Sequence, residues 1–84
     1  MKLAPAVHAT ETDTGMVLLD ERSGRYWQLN PTGALILRTL LDGDTADDAA
    51  RQLHHRHPGL DADQAGRDVT ALVNNLLASG LVTS

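Results

Sequence analysis

The chain has 84 residues, with seven basic and eleven acidic side chains for a net charge of -4, and it contains no cysteine. A single domain over residues 1–84 buries only about 60% of its unfolded surface, which argues against a deep enzymatic cleft. The lack of cysteine excludes disulfides and thiolate metal sites, and the acidic balance opposes binding to nucleic acid.

The N-terminus, MKLAPAVHATETDTG, has one lysine and no sustained apolar run, so neither a signal peptide nor a membrane span is expected and the chain reads as cytoplasmic. The segments AVHATET, MVLLD and RYWQL read as short strands. They are separated by Asp13-Thr14-Gly15 and by Glu21-Arg22-Ser23-Gly24, both of which carry turn chemistry. The reading is a three-stranded antiparallel meander.

Helices follow. Asn30-Pro31 is an N-cap with proline at the first helical position, and Ala34, Leu35, Ile36, Leu37, Leu40 and Leu41 fill a largely buried helix that Gly43 stops. Thr45 with Asp48 three residues on opens a second helix whose apolar side, Ala46, Ala49, Ala50 and Leu53, is mostly alanine. His57-Pro58-Gly59 ends it. Asp61 caps a third helix carrying Ala65, Val69, Leu72, Val73, Leu76 and Leu77 up to Gly80, after which Leu81 and Val82 can fold back on the last turn. The fold class is α+β, a three-stranded antiparallel sheet followed by three helices in winged-helix-like order.

The single tyrosine and the single tryptophan are adjacent, at Tyr26 and Trp27 of the third strand. In a meander paired in sequence order this strand is an edge, so one row of its backbone N–H and C=O groups lies open to another strand. The turn before it has an even number of residues, which puts Trp27 and Leu29 on one face with Leu18 and Met16. Leu29 precedes the helix cap, so that face meets the helices. Val17, Leu19 and Tyr26 form an apolar patch on the other. Taken singly, the two aromatics fit ordinary core mass equally well. Placed on an open edge beside an apolar helix, they suit the binding of an extended peptide by strand addition.

The element order, the pattern MVLLDERSG and the join GRYWQLNPTGA running into an aliphatic helix that ends LLDG resemble the PqqD-like family, also called RiPP recognition elements. The resemblance covers nearly the whole chain. It implies a non-catalytic adaptor that binds the leader of a ribosomally made precursor peptide, which adds as an antiparallel strand to the third strand and lies against the third helix. Stand-alone members of this length resemble the leader-binding half of the split B protein of lasso peptide biosynthesis. The partners so implied are the leader peptide, a separate leader peptidase and the macrolactam-forming cyclase, with no cofactor. PqqD itself, a peptide chaperone for a radical SAM enzyme, is the alternative. Carried over by position, the backbone of Arg25, Tyr26, Trp27, Gln28 and Leu29 pairs with the leader. Trp27 and Leu18 floor the groove, Val69, Leu72 and Leu76 form its helical wall, and Asp68 stands at the rim. A Val/Leu stripe at this spacing is also what a plain core helix shows.

Other chemistries fare worse. His54 and His57 share a helix face but lack further ligands in sequence, which suits a solvated helix end better than a metal site. Asp42, Asp44, Asp47 and Asp48 lack calcium-loop spacing and suit helix capping. Ser23, Ser79 and Ser84 have no histidine and carboxylate patterned around them, so an enzyme is not expected. A winged-helix DNA-binding protein needs a basic recognition helix, whereas the third helix sets Arg67 among Asp61, Asp63 and Asp68. A homodimer through the Val17, Leu19 and Tyr26 face is a further reading.

Overall fold

The computed structural model describes residues 1–83. In chain order the elements are β1 (Lys2–Leu3), β2 (Val7–Thr12), β3 (Gly15–Asp20), β4 (Arg25–Leu29), α1 (Pro31–Leu41), α2 (Ala46–Arg56), α3 (Ala62–Ala78) and β5 (Val82–Thr83). The sheet order is β2-β3-β4, all antiparallel, as the turns predict. Met16 stands opposite Leu29 and Leu18 opposite Trp27, so the expected side-chain parity holds. Met16 and Leu18 are buried on the helix side, whereas Leu19 is exposed on the other.

Helix starts follow from local chemistry. The Asn30 side chain accepts from the Gly33 N–H at 2.8 Å, and the Asp61 carboxylate accepts from the Gln64 N–H at 2.7 Å. At α2 the capping box is complete: Asp48 donates its backbone N–H to the Thr45 hydroxyl, and the Thr45 N–H is accepted by the Asp48 carboxylate. Each bond satisfies a donor that the first helical turn leaves orphaned. At the end of α3, Leu81 donates to the Leu76 carbonyl and Gly80 to that of Leu77, while Gly80 sits at φ 72. This is a Schellman cap, which needs the left-handed conformation that glycine adopts without a side-chain clash. Leu81 is thereby folded back into the core, fully buried.

The core has two parts. One joins the inner sheet face, through Val7, Met16 and Leu18, to Ala34 and Leu37 of α1, Leu76 of α3 and the tail residues Leu81 and Val82. The other joins Leu35, Ile36 and Leu40 of α1 to Ala49 and Leu53 of α2 and Ala65 and Val69 of α3. Helix α1 therefore lies between the sheet and the α2–α3 pair, which is why it is apolar nearly all round. Leu72 packs against both parts.

Three details differ from the sequence reading. A two-stranded ribbon pairs β1 with β5, Lys2 opposite Thr83 and Leu3 opposite Val82, with Ala4 donating to the Leu81 carbonyl at 2.9 Å. Two-residue strands carry no periodicity, and these lie at opposite ends of the chain. The first strand of the meander starts at Val7, one residue later than read. Leu77 is 41% exposed, because Leu72 and Leu76 already define the buried seam and the next residue turns about 100° away.

Candidate functional site: the open edge of β4

The hydrogen-bond phase of the sheet follows from its turns. Glu21 donates to the Ala6 carbonyl at 3.0 Å, which makes Ala6 and Glu21 a bonded pair and, by alternation, His8 with Leu19, Thr10 with Val17 and Thr12 with Gly15. Val17 and Leu19 therefore bond to β2, and Met16, Leu18 and Asp20 turn their backbone groups toward β4. The Gly24 N–H, donating to the Asp20 carbonyl at 2.9 Å, lies on that same side. Leu29, Trp27 and Arg25 are engaged in return. The intervening Tyr26 and Gln28 direct their N–H and C=O groups away from the sheet, into the open edge.

The side chains near this edge divide by burial. Trp27 and Leu29 are half-buried against the inner-face core, so apolar side chains of β4 itself border the open backbone, and Leu72 of α3 is half-buried on the same core. Tyr26 is 67% exposed and points to the opposite face with Leu19. Arg25 and Gln28 are exposed. The guanidinium of Arg25 lies 5.2 Å from the centre of the Trp27 ring, within cation–π range. Asp68 is half-buried and accepts from Gln64 Nε2 at 2.8 Å, while Arg67 donates to the Oε1 of the same glutamine at 2.9 Å.

The remaining residues singled out from sequence lie deeper. Leu18, Val69 and Leu76 are 0%, 1% and 3% exposed, so their side chains are sealed in the core and do not line the surface. Val69 belongs to the core part shared with α1 and α2, away from the inner sheet face. The outward backbone groups of β4 do not run without interruption from Arg25 to Leu29. Only Tyr26 and Gln28 present outward groups, a distinction legible once the Thr12–Gly15 closure is recognised as a bonded pair.

Elsewhere, a cavity of about 760 Å³ is lined by Asp44, Asp48, Arg51, His54 and His55 among others, on the α2 side of the molecule. A smaller one of about 330 Å³ borders Gln28 and Leu29 at the α1 end of β4. The open edge of β4 is a surface rather than a cavity, so neither volume measures it. Among the described residues no three histidine, cysteine or acidic side chains gather as a metal cluster. His54 donates from Nδ1 to the Leu60 carbonyl at 2.6 Å, tying the end of α2 to the loop before α3. Among the described residues no helix is long and apolar enough to cross a membrane.

A small α+β fold that leaves one edge of its three-stranded antiparallel sheet open has the geometry to which an extended peptide can add as a strand. The chain belongs to the PqqD family: the family model for coenzyme PQQ synthesis protein D (PqqD) matches residues 15–82. Two solved structures are similar to it. Lasso peptide synthetase B1 complexed with the leader peptide is 44% identical, over 99% of this chain and 96% of that one, with a TM-score of 0.88. TbiB1 in complex with the TbiA(beta) leader peptide is 25% identical, over 96% of this chain and 93% of that one, with a TM-score of 0.85. No curated protein sequence matches the chain. The resemblance read from the sequence is thus borne out for family and fold.

Proposed function

We propose that this protein is a non-catalytic adaptor that binds the leader of a lasso precursor peptide by strand addition to β4 and presents it to a separate leader peptidase, before macrolactam closure by a cyclase. The observation that carries this reading is the outward N–H and C=O of Tyr26 and Gln28 on an edge strand whose Trp27 is half-buried on the core that Leu72 of α3 also contacts. Main-chain bonds to the edge supply affinity whatever the peptide's sequence, and the apolar margin supplies selectivity. Both solved relatives hold leader peptides, which supports the same ligand class here. Arg25, Trp27, Leu29, Leu72 and Asp68 are assigned to the groove by this reading, with Leu18, Val69 and Leu76 supporting it from the core.

A few apolar anchors on a short added strand suffice for sub-micromolar binding, about 8 to 10 kcal/mol. Calorimetric titration with the leader peptide of the 44%-identical synthetase B1 tests this, and Trp27, the single tryptophan, supplies an independent fluorescence signal from within the groove. Heat and a fluorescence change at matching affinity are expected. The absence of both sinks the reading. Presentation is tested by adding the cognate leader peptidase: cleavage should accelerate when this protein is present. The DNA-binding alternative gains nothing from α3, whose first turn holds Asp63 behind an Asp61 cap and whose Arg67 is held by Gln64.

A further inference from the structure

We infer that the Arg25 guanidinium is a specificity-determining group of the β4 edge, recognising a carboxylate side chain on the bound strand two residues from the one that covers Trp27. The inference rests on the leader-binding reading and adds to it a chemical requirement on the ligand. Tyr26 and Gln28 supply the hydrogen-bonded pairs to an incoming strand. Arg25, Trp27 and Leu29 then stand opposite it at non-hydrogen-bonded positions, where Cα atoms are only about 4.5 Å apart and facing side chains touch. Ligand residues opposite Trp27 and Arg25 are two apart and lie on the same inner face. In the antiparallel arrangement the residue opposite Arg25 is the more C-terminal of the two.

Arg25 has an unspent charge in this place. The carboxylate nearest in the ladder is Asp20, its direct cross-strand partner on the same face. That carboxylate is turned to the hairpin instead: it accepts from the Arg22 backbone N–H at 3.0 Å and lies 3.6 Å from Arg22 Nε. Among the described residues no carboxylate comes within ion-pair distance of Arg25, while Arg38 pairs with Glu11 and Arg51 with Asp48. The side chain is also oriented, because its guanidinium lies over the indole that borders the edge. An arginine resting on a ring keeps its outer N–H donors free for a planar carboxylate. A charge kept on an edge strand solely to repel other strands has no need of that contact. The protein's net charge of -4 disfavours acidic peptides in general, so a local cation at the groove decides where one acidic residue is welcome.

The probe is the leader peptide of the 44%-identical synthetase B1, made in its parent form and with each acidic residue singly replaced by its amide. Each is titrated into wild type, Arg25→Gln and Arg25→Lys. One replacement should weaken binding to wild type by about two- to fivefold, less at raised salt, and have no effect on Arg25→Gln. Arg25→Lys should keep part of the discrimination, having the charge without the planar donors. Equal responses of wild type and Arg25→Gln to every replacement overturn the assignment of Arg25 while leaving leader binding intact. Failure of the parent peptide to bind wild type overturns the leader-binding reading itself, and this inference with it.

Discussion

Proline placed along β4 distinguishes the outward-facing backbone from the inward-facing one. Trp27 donates its N–H within the ladder to β3, so Trp27→Pro breaks an internal bond and forces a ring into the centre of the hairpin. Gln28 directs its N–H outward, where an edge strand tolerates proline. Gln28→Pro should therefore fold, at a cost of about 1 kcal/mol for moving φ toward -65°, yet it removes one donor of the edge and puts a ring in the path of the leader. The lost bond and the ligand carbonyl left unpaired amount to about 2 to 3 kcal/mol, or roughly 30- to 150-fold in Kd. Circular dichroism melting establishes the fold of each variant, and calorimetry with the leader peptide measures the affinity, with Gln28→Ala as the side-chain control. Leader binding by a folded Gln28→Pro at wild-type affinity would refute strand addition at β4. Equal unfolding of Gln28→Pro and Trp27→Pro would refute the hydrogen-bond phase.

Trp27→Ala and Leu72→Ala should each weaken leader binding by about 1 to 3 kcal/mol in folded protein, and unchanged calorimetric affinity removes the residue from the groove. Gly15→Ala should destabilise the fold by about 2 to 4 kcal/mol, read as a lower melting temperature. Gly15 lies at φ 146, and a Cβ built there falls 1.9 Å from the Leu29 carbonyl oxygen, where the β2–β3 turn presses on the exit of β4; a wild-type melting temperature would contradict that packing. The carboxyl of Asp48 is held below the ordinary aspartate range by the hydrogen bond from the Thr45 backbone, then by the Thr45 hydroxyl contact and by the adjacent Arg51. Its folded value lies below the unfolded one, so the capping contribution is complete above the unfolded value and disappears as pH falls through the folded one. Asp48→Asn should accordingly lose stability at neutral pH and converge with wild type in acid, and parallel melting curves across that range would exclude the effect.

The proposed groove requires α3 to be held in place. Its N-terminal half packs through Ala65 and Val69 on α1 and α2, whereas its C-terminal half is tied to the sheet by Leu76, Leu81 and the β1–β5 ribbon. Leu72 falls between these attachments and touches both parts of the core. The position of α3 is therefore set by contacts made at both ends of the helix, including the β1–β5 ribbon.

Much of this was legible along the chain, because the signals are local. Asn30-Pro31, Thr45 with Asp48, and Asp61 with Gln64 mark helix starts through bonds spanning three residues, and Gly80 marks an end through a backbone angle it tolerates best. The even turn before Arg25 put Trp27 with Leu18 and left β4 at the margin of the sheet, since side-chain alternation along a strand admits no other parity. What needed the folded molecule was every property of pairs distant in sequence. The ribbon of Leu3 with Val82 and the ion pair of Arg38 with Glu11 follow no local rule. Nor could periodicity separate Leu72, at the margin, from Val69 and Leu76, sealed in the core. A helical stripe records which residues avoid water, and only the elements packed around it decide which of them remain within reach of a second chain.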